Sequence, residues 1–280
     1  STPSNSSAAS DVYKRQENKQ FTLFSILALV VVGVAVFAPQ IAPYDPLDAV
    51  MLESLQAPSS AHPFGTDKLG RDLLSRVIFG TRTSLIMTLC LVAVIFVIGT
   101  FLGVIAGYFG GIVDGVIMRI ADMMISFPGL VLAIAIAGML GPNLVNAVIS
   151  IAAVSWTKYA RLARSMVLRV KKNLYIEAAV VNGTRTWKIL LVHVLPNMVT
   201  QMVVTAAVGT MMLELASLSF LGFGATAPTP EWGLMLNEGR TYMAKAPWLM
   251  IYPGIAIVIC VVIFNMLGDS IRDVLDPRQE

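Results

Sequence analysis

The chain contains 280 residues, of which 56% are hydrophobic and 13% are charged, and its mean hydropathy is +0.74. A water-soluble domain of this length carries nearly twice that share of charged residues, so the composition excludes an ordinary soluble protein. The net charge of +3 reflects where the basic residues lie along the chain and gives no reason to expect a nucleic-acid partner.

Five stretches of the sequence lack charged residues, and each is long enough to cross the hydrocarbon layer of a membrane. The stretch from Asp122 to Lys158 is too long for one crossing, and Gly141-Pro142-Asn143 divides it with strong turn chemistry. Continuous apolar runs favour helices over the alternating strands of a barrel. The sequence therefore predicts an all-α integral membrane protein with six transmembrane helices, at roughly 21–42, 84–108, 123–140, 144–165, 198–220 and 247–268.

The distribution of Lys and Arg predicts the orientation, because basic residues near the ends of spans are retained in the cytoplasm. With the N-terminus inside, 14 of the 20 Lys and Arg residues fall on the cytoplasmic side and 6 on the outer side. Both termini and the polar loop around Glu177 are therefore expected in the cytoplasm.

The sequence predicts four regions along the chain. Residues 1–20 have no apolar period, and we expect a disordered cytoplasmic tail or an artefact of the sequence. Residues 21–83 would form an uncleaved first transmembrane helix and an outer segment, 84–269 a core transmembrane domain of five helices, and 270–280 a cytoplasmic C-terminal tail.

Cysteine and histidine residues do not predict a metal site or a disulfide. Cys90 and Cys260 lie in predicted spans, where a thiol packs as a small apolar group. His62 and His193 fall on opposite sides of the membrane in this topology, so they cannot share a metal ion.

Two features inside the predicted spans have both a structural and a functional interpretation. The second span carries glycines at four-residue intervals, which predict a face for close helix packing, with a hinge or pore lining as the alternative: Gly99, Gly103, Gly107 and Gly111. A carboxylate in the fifth span, Glu214, is costly in a membrane unless it faces a partner or water. It would either line a translocation path or hydrogen-bond to a neighbouring helix.

The loop between the fourth and fifth spans predicts two short helices. The first covers Leu174 to Asn182, with Asn173 as N-cap and Gly183 in the left-handed position after it. The second begins at Thr184 and has one apolar stripe, formed by Trp187, Leu190, Leu191, Val194 and Leu195. This pair would either rest in the lipid headgroups or dock onto a protein, and the sharp glycine bend favours a protein.

This loop resembles the EAA loop of membrane subunits of bacterial ATP-binding-cassette (ABC) importers. The resemblance is carried by Glu177-Ala178-Ala179, then Gly183, then Leu195-Pro196 at the matching spacing. His193 stands where the general pattern has isoleucine, which resembles the peptide-importer branch. Further matching segments are His62-Pro63-Phe64-Gly65-Thr66-Asp67, Ser126-Phe127-Pro128, Pro230-Glu231-Trp232-Gly233 and Leu275-Asp276-Pro277-Arg278. The chain is thus identified as a member of the dipeptide/oligopeptide/nickel permease family, similar to the shorter C-type permease of the pair.

The resemblance implies a type I ABC importer transmembrane domain in the bacterial inner membrane, forming half of a translocation pathway. Its implied partners are a related permease in a heterodimer, two cytoplasmic ATPase subunits and an external substrate-binding protein. The EAA loop, 174–197, would be the joint to the ATPase, through Glu177, Ala178, Ala179, Gly183, His193, Leu195 and Pro196. Arg71, Asp72 and Trp232 would contact the binding protein or, alternatively, fold the outer loops by local pairing and packing.

The chain is not expected to hydrolyse ATP. A phosphate-binding loop needs Gly-x4-Gly-Lys-Ser/Thr, whereas the nearest match places Arg71 and Asp72 after Gly70. No catalytic residue, cofactor or metal is predicted in this chain, and ATP and Mg would be used by the partner subunits. The cargo would be dipeptides or oligopeptides, with nickel, glutathione or another small peptide-like solute as alternatives and a passive channel as a distant one.

Overall fold

The computed structural model describes residues 5–196 and 208–275, except for the side chains of 5–18, Glu177, Val180, His193 and 274–275. These residues form helices joined by turns, with an isolated antiparallel bridge between Thr66 and Asp72. The chain divides into two compact units, Ser1–Thr88 with Ala207–Glu280, and Leu89–Ala206. The all-helical class predicted from the apolar stretches is confirmed.

The first unit is built around a long C-terminal helix. Its helices are α1 (Asn5–Val36), α2 (Ala38–Ile41), the first part of α3 (Leu73–Phe109), α9 (Val208–Phe220), α10 (Trp232–Gly239) and α11 (Trp248–Leu275), with short 3-10 turns at Met51–Glu53 and Arg240–Tyr242. Helix α11 packs against α1, α9 and α10. Gly209 lets α9 approach α11 closely, because a Cβ there would lie 2.7 Å from the carbonyl oxygen of Val261.

The second unit is built around α6. It contains the rest of α3, α4 (Gly111–Ile125), α5 (Gly129–Leu140), α6 (Leu144–Val170), α7 (Leu174–Val181), α8 (Thr186–Lys188) and a π-helical turn, Ile189–Val194. Helices α4 and α5 both pack on α6. The predicted break before α6 is confirmed: Gly141 has a φ of +85°, and the Asn143 side chain caps α6 by accepting from the Val145 N–H at 2.8 Å.

The predicted glycine face joins α3 to α6. A Cβ at Gly99 would lie 2.7 Å from the Trp156 carbonyl oxygen, one at Gly103 would lie 2.3 Å from that of Ala160, and one at Gly107 would lie 2.8 Å from Val167 Cβ. These three positions confirm a packing face, because any side chain there would push the helices apart. Gly111 differs: it has a φ of +53° at the start of α4.

Fewer helices meet the length and hydropathy of a membrane span than the six predicted. Among the described residues three do, Lys19–Val36, Leu73–Phe109 and Trp248–Asp273, and α4 with α5 makes a fourth if the bent pair is one span. That pair bends by 93° at Ser126-Phe127-Pro128, because proline lacks an N–H and restricts the residue before it. The predicted straight helix 123–140 is therefore interrupted.

The two remaining predicted spans stay predictions. Helix α6 has 27 residues, but Lys158, Arg161 and Arg164 lower the hydropathy of its second half. The first half of the predicted span 198–220 lies mostly outside the described residues, and the described part, α9, has 13 residues.

Helices α1 and α11 extend beyond the spans predicted for them. Helix α1 begins at Asn5, within the segment expected to be a disordered tail, and α11 continues to Leu275. The Ala, Glu, Lys and Gln residues before Phe21 favour continuation of a helix once the apolar span has nucleated it. At the other end, the Ser270 hydroxyl donates to the Met266 carbonyl at 2.7 Å, a bond that a helix supplies.

Candidate functional site

Gly183 forms a defined bend just after α7. Its φ is +73°, a conformation that an L side chain rarely adopts. The Thr184 N–H donates to the Ala179 carbonyl at 3.0 Å, and the Asn182 N–H donates to the Ala178 carbonyl at 2.9 Å. The bond from Thr184 spans six residues, as in a Schellman motif. The glycine bend predicted from the sequence is confirmed.

Helix α7 presents an apolar face that the described residues do not cover. Leu174 is 81% exposed and Val181 is 86% exposed, and Ala178 between them is also exposed. These residues are spaced i, i+4 and i+7, which places them on one side of the helix. Ile176 is buried and Ala179 is half-buried, so the opposite side packs inward. The backbone of Glu177 lies in α7, and its side chain lies outside the described ones.

The second helix of the loop has one apolar stripe, as predicted, but its packing follows a different period. Trp187, Leu190, Leu191 and Leu195 line an apolar cleft of about 410 Å³ together with residues 96–105 of α3. The fully buried residues are Ile189 and Val194, five positions apart in the π-helical turn. A stripe drawn at 3.6 residues per turn includes Val194 but misses Ile189. Pro196 is exposed, and the His193 side chain is outside the described ones.

Arg71 and Asp72 lie inside the outer segment and are not available to a binding protein. Arg71 is 1% exposed and Asp72 is 3% exposed. The Arg71 Nε donates to Asp67 Oδ2 at 2.7 Å, and its Nη2 lies 3.5 Å from Glu238 Oε2. The expectation of direct contact is corrected, because both side chains are occupied by pairing within the fold.

Asp72 organises the start of α3. Its Oδ2 accepts hydrogen bonds from the Ser75 backbone N–H and hydroxyl, both at 2.7 Å, which caps the first turn of the helix. Its Oδ1 lies 2.9 Å from His62 Nδ1, and the other ring nitrogen of His62 lies 3.3 Å from Glu53 Oε2. The motif around His62 therefore stabilises the fold of the outer segment.

Trp232 is also buried, at 1% exposure, so its expected contact with a binding protein is corrected as well. The indole N–H donates to the Val77 carbonyl at 3.0 Å. The ring covers Gly80, where a Cβ would lie 2.6 Å from it. Trp232 thus fixes α10 against the first turns of α3, which is the local packing role that the sequence left open.

Sequence reasoning assigned no role to Glu231, which is the N-cap of α10. Its two carboxylate oxygens accept from the Gly233 N–H at 2.9 Å and the Leu234 N–H at 2.8 Å. Burial raises the pKa of this carboxyl, and the hydrogen bonds that it accepts oppose the rise. A glutamate before Trp-Gly is a weak sequence signal, since Ser, Thr, Asp and Asn are the usual N-caps.

Glu214 lies in α9, where it is half-buried and engaged in a polar interaction. Both interpretations of this residue, a pathway lining and a partner for a neighbouring helix, remain predictions.

The fold is similar to that of a chain in a solved ABC transporter. The inward-facing MetNI methionine ABC transporter has a chain with a TM-score of 0.57 to this one, at 21% identity, covering 71% of this chain and 96% of that chain. Identity at this level supports the fold alone.

Sequence comparison defines the family. The model for the binding-protein-dependent transport system inner membrane component matches residues 99–280. The dipeptide transport system permease protein DppC of Alkalihalophilus pseudofirmus is 41% identical, covering 95% of this chain and 88% of the relative. The glutathione transport system permease protein GsiD of Pectobacterium atrosepticum is 44% identical, covering 90% and 85%. The probable D,D-dipeptide transport system permease protein DdpC of Escherichia coli is 41% identical, covering 91% and 86%.

The chain therefore belongs to the family of inner-membrane permease subunits of binding-protein-dependent ABC transport systems. This confirms the resemblance to the dipeptide and oligopeptide permease branch, including its C-type member. Permeases of this kind work with a second permease, an ATPase and a binding protein.

Proposed function

We propose that this chain forms half of a peptide translocation pathway in the bacterial inner membrane, with both termini in the cytoplasm. In this proposal six helices cross the membrane, the fourth crossing being supplied by α6 and the fifth by the predicted span 198–220, whose described part is α9. The excess of Lys and Arg on one side of the predicted topology supports the orientation. The complete transporter would contain a related permease, two ATPase subunits that use ATP and Mg, and an external binding protein.

The proposed point of coupling is α7. The observation that carries it is the exposed apolar face of Leu174, Ala178 and Val181 beside the fixed bend at Gly183. An apolar helix face on the cytoplasmic side needs a partner, and small Ala178 permits close approach of that partner. Glu177, Ala179, His193, Leu195 and Pro196 complete the proposed joint on sequence resemblance.

The mechanism follows from this placement. Closure of the ATPase subunits would displace α7, and α6 would carry the displacement to the helices that it contacts. ATP binding and hydrolysis would thus change which side of the membrane the pathway opens to, without chemistry in this chain. Lipid would surround the exposed apolar faces of the spans.

Peptides are the cargo class that the relatives support best. The three relatives named above are permeases for dipeptide, D,D-dipeptide and glutathione transport. The three transported compounds are all peptides or peptide-like, and the similar identities of 41–44% do not favour one of them over the others. Glutathione is the second candidate, because the relative at 44% identity is a glutathione permease. Competition of labelled dipeptide uptake by unlabelled glutathione would distinguish the two.

The experiment that tests the joint is co-purification of the ATPase subunits after Ala178→Arg, with ATP-driven uptake measured in proteoliposomes. Ala57→Arg is the matched control, because Ala57 is exposed in the outer segment and receives the same side chain. Loss of ATPase binding and uptake in Ala178→Arg alone supports the proposal. Retained ATPase binding and normal uptake in Ala178→Arg would overturn it.

A further inference from the structure

Helix α6 leads directly into α7. Val170 ends α6 and Leu174 begins α7, so only three residues separate them. A displacement of α7 is therefore passed directly to the C-terminal end of α6. The contacts that this end of α6 makes determine which helices the displacement reaches. This inference rests on the proposed coupling role of α7.

Two arginines on α6 reach across to α4. The Arg164 guanidinium donates through Nε and Nη2 to the two carboxylate oxygens of Asp114, in the first turn of α4. The Arg161 guanidinium donates through Nη2 alone to Asp122, two turns further along α4. A two-point contact fixes the relative direction of the two groups, whereas a one-point contact allows them to pivot.

The two ion pairs also differ in their access to water. The side chains of Arg164 and Asp114 are 35% and 19% exposed, and those of Arg161 and Asp122 are 46% and 57% exposed. Both residues of the second pair line a polar cleft of about 330 Å³, together with Met118 and with Arg164 of the first pair. Solvent screening weakens an exposed pair, so Arg164 with Asp114 is the stronger link.

A third contact ties the same end of α6 to α3. The Lys171 Nζ donates to the Tyr108 carbonyl oxygen at 2.7 Å and lies 5.3 Å from the centroid of the Tyr108 ring. Tyr108 is in the last turn of α3, which ends one residue later. Lys171 therefore satisfies a carbonyl that the end of the helix leaves without an intrahelical partner.

The Arg164 and Lys171 contacts flank the turn between α3 and α4. Gly110 and Gly111 form this turn with φ values of +67° and +53°. No atom of the described residues would lie within 4 Å of a Cβ at either glycine, so packing around the turn does not restrain it. The side-chain contacts that hold the turn are those of Arg164, on α6, and Lys171, the residue directly after α6, one on each side of the glycines.

We propose that Arg164, Asp114 and Lys171 form a clamp that passes the movement of α7 from α6 to the α3–α4 turn. They are positioning residues, which act through the helices and not on the cargo. Gly99, Gly103 and Gly107 hold the middle of α3 against α6, and the clamp holds its end. Helices α3 and α4 then move with α6 instead of sliding past it.

The test measures uptake and ATP hydrolysis together in proteoliposomes that contain the complete transporter. In Arg164→Gln, we expect the ATPase subunits to co-purify and to hydrolyse ATP, while the peptide taken up per ATP falls about threefold to tenfold. Arg161→Gln is the matched control, and its ratio should change by less than about twofold. Exchange of the charges, Asp114→Arg with Arg164→Asp, should recover part of the lost ratio.

An unchanged ratio in Arg164→Gln would overturn the clamp, as would an equal loss in Arg161→Gln. If Arg164→Gln fails to assemble, the charge exchange decides: recovered assembly and uptake support the clamp, and a lack of recovery overturns it. Failure of the clamp is distinguishable from failure of the coupling role of α7, because Ala178→Arg tests ATPase docking without altering any clamp residue.

Discussion

The Thr184 N–H donates to the Ala179 carbonyl at 3.0 Å across the end of α7. This bond requires the left-handed backbone of Gly183, whose φ is +73°. It sets the angle between α7 and the second helix of the loop. The bond thus gives the loop a defined shape, which a joint between two proteins needs in order to transmit a force.

Replacing Gly183 should damage the joint in proportion to the strain that the new residue brings. We expect Gly183→Val to lose most ATPase docking and uptake, because a left-handed conformation costs about 1–2 kcal/mol for an ordinary residue and more for a β-branched one. Gly183→Asn should lose less, since Asn tolerates this conformation. Pull-down of the ATPase subunits and uptake assays measure both, and normal docking in the valine variant would contradict the assignment.

The contact between α3 and α6 should be sensitive to a single methyl group. A Cβ at Gly103 would lie 2.3 Å from the Ala160 carbonyl oxygen, so Gly103→Ala should destabilise the protein by about 1–3 kcal/mol. Gly115→Ala is the control, because no described atom lies within 4 Å of a Cβ there. It should be neutral or stabilising by up to about 1 kcal/mol. Thermal unfolding in detergent compares the two, and equal stability would refute the packing argument.

Arg71 should matter for folding instead of for recognition of a binding protein. Removal of one partner from a buried ion pair costs about 3–5 kcal/mol, so Arg71→Ala should reduce the yield of folded permease. Lys68→Ala is the control, because Lys68 is 37% exposed and lies 3.3 Å from the same Glu238. It should cost less than about 1 kcal/mol. A folded Arg71→Ala permease with a selective loss of binding-protein affinity would contradict this role.

The contribution of Glu231 to the stability of the folded protein should decrease as the pH rises. Burial raises the pKa of its carboxyl in the folded protein, so the folded state holds this proton more tightly than the unfolded state does. The stabilisation is complete below the ordinary pKa of a glutamate and is lost as the pH rises through the raised value. The Tm of the wild type minus that of Glu231→Gln should therefore decrease over this range, because all other groups titrate in both proteins. A flat or increasing difference would contradict the shift.

The sequence predicts those features that depend on neighbours along the chain. Gly141-Pro142-Asn143 marks a break, Gly183 marks a bend, and glycines four residues apart mark a packing face, because each signal acts within a few residues. The same locality explains why the packing role of Gly99, Gly103 and Gly107 was predicted while their partners on α6 were not.

The features that sequence reasoning missed depend on residues far apart in the chain. Buried Arg71 pairs with Glu238, 167 residues away, as well as with the nearby Asp67. Arg164 meets Asp114 across 50 residues, and charge patterns at that separation carry no pairing information until the helices are packed. The π-helical turn at Ile189–Val194 shifts the buried positions away from the 3.6-residue period. Local propensity does not encode such a shift.

Photo-cross-linking in membranes would show whether α7 contacts the ATPase. A photoreactive amino acid at Val181, which is 86% exposed, should form an adduct with the ATPase subunit. The control is Met139, which is 88% exposed and is predicted on the outer side of the membrane. We expect an ATPase adduct from position 181 and none from position 139. An assembled transporter that gives no adduct from 181, or equal adducts from both positions, would contradict it.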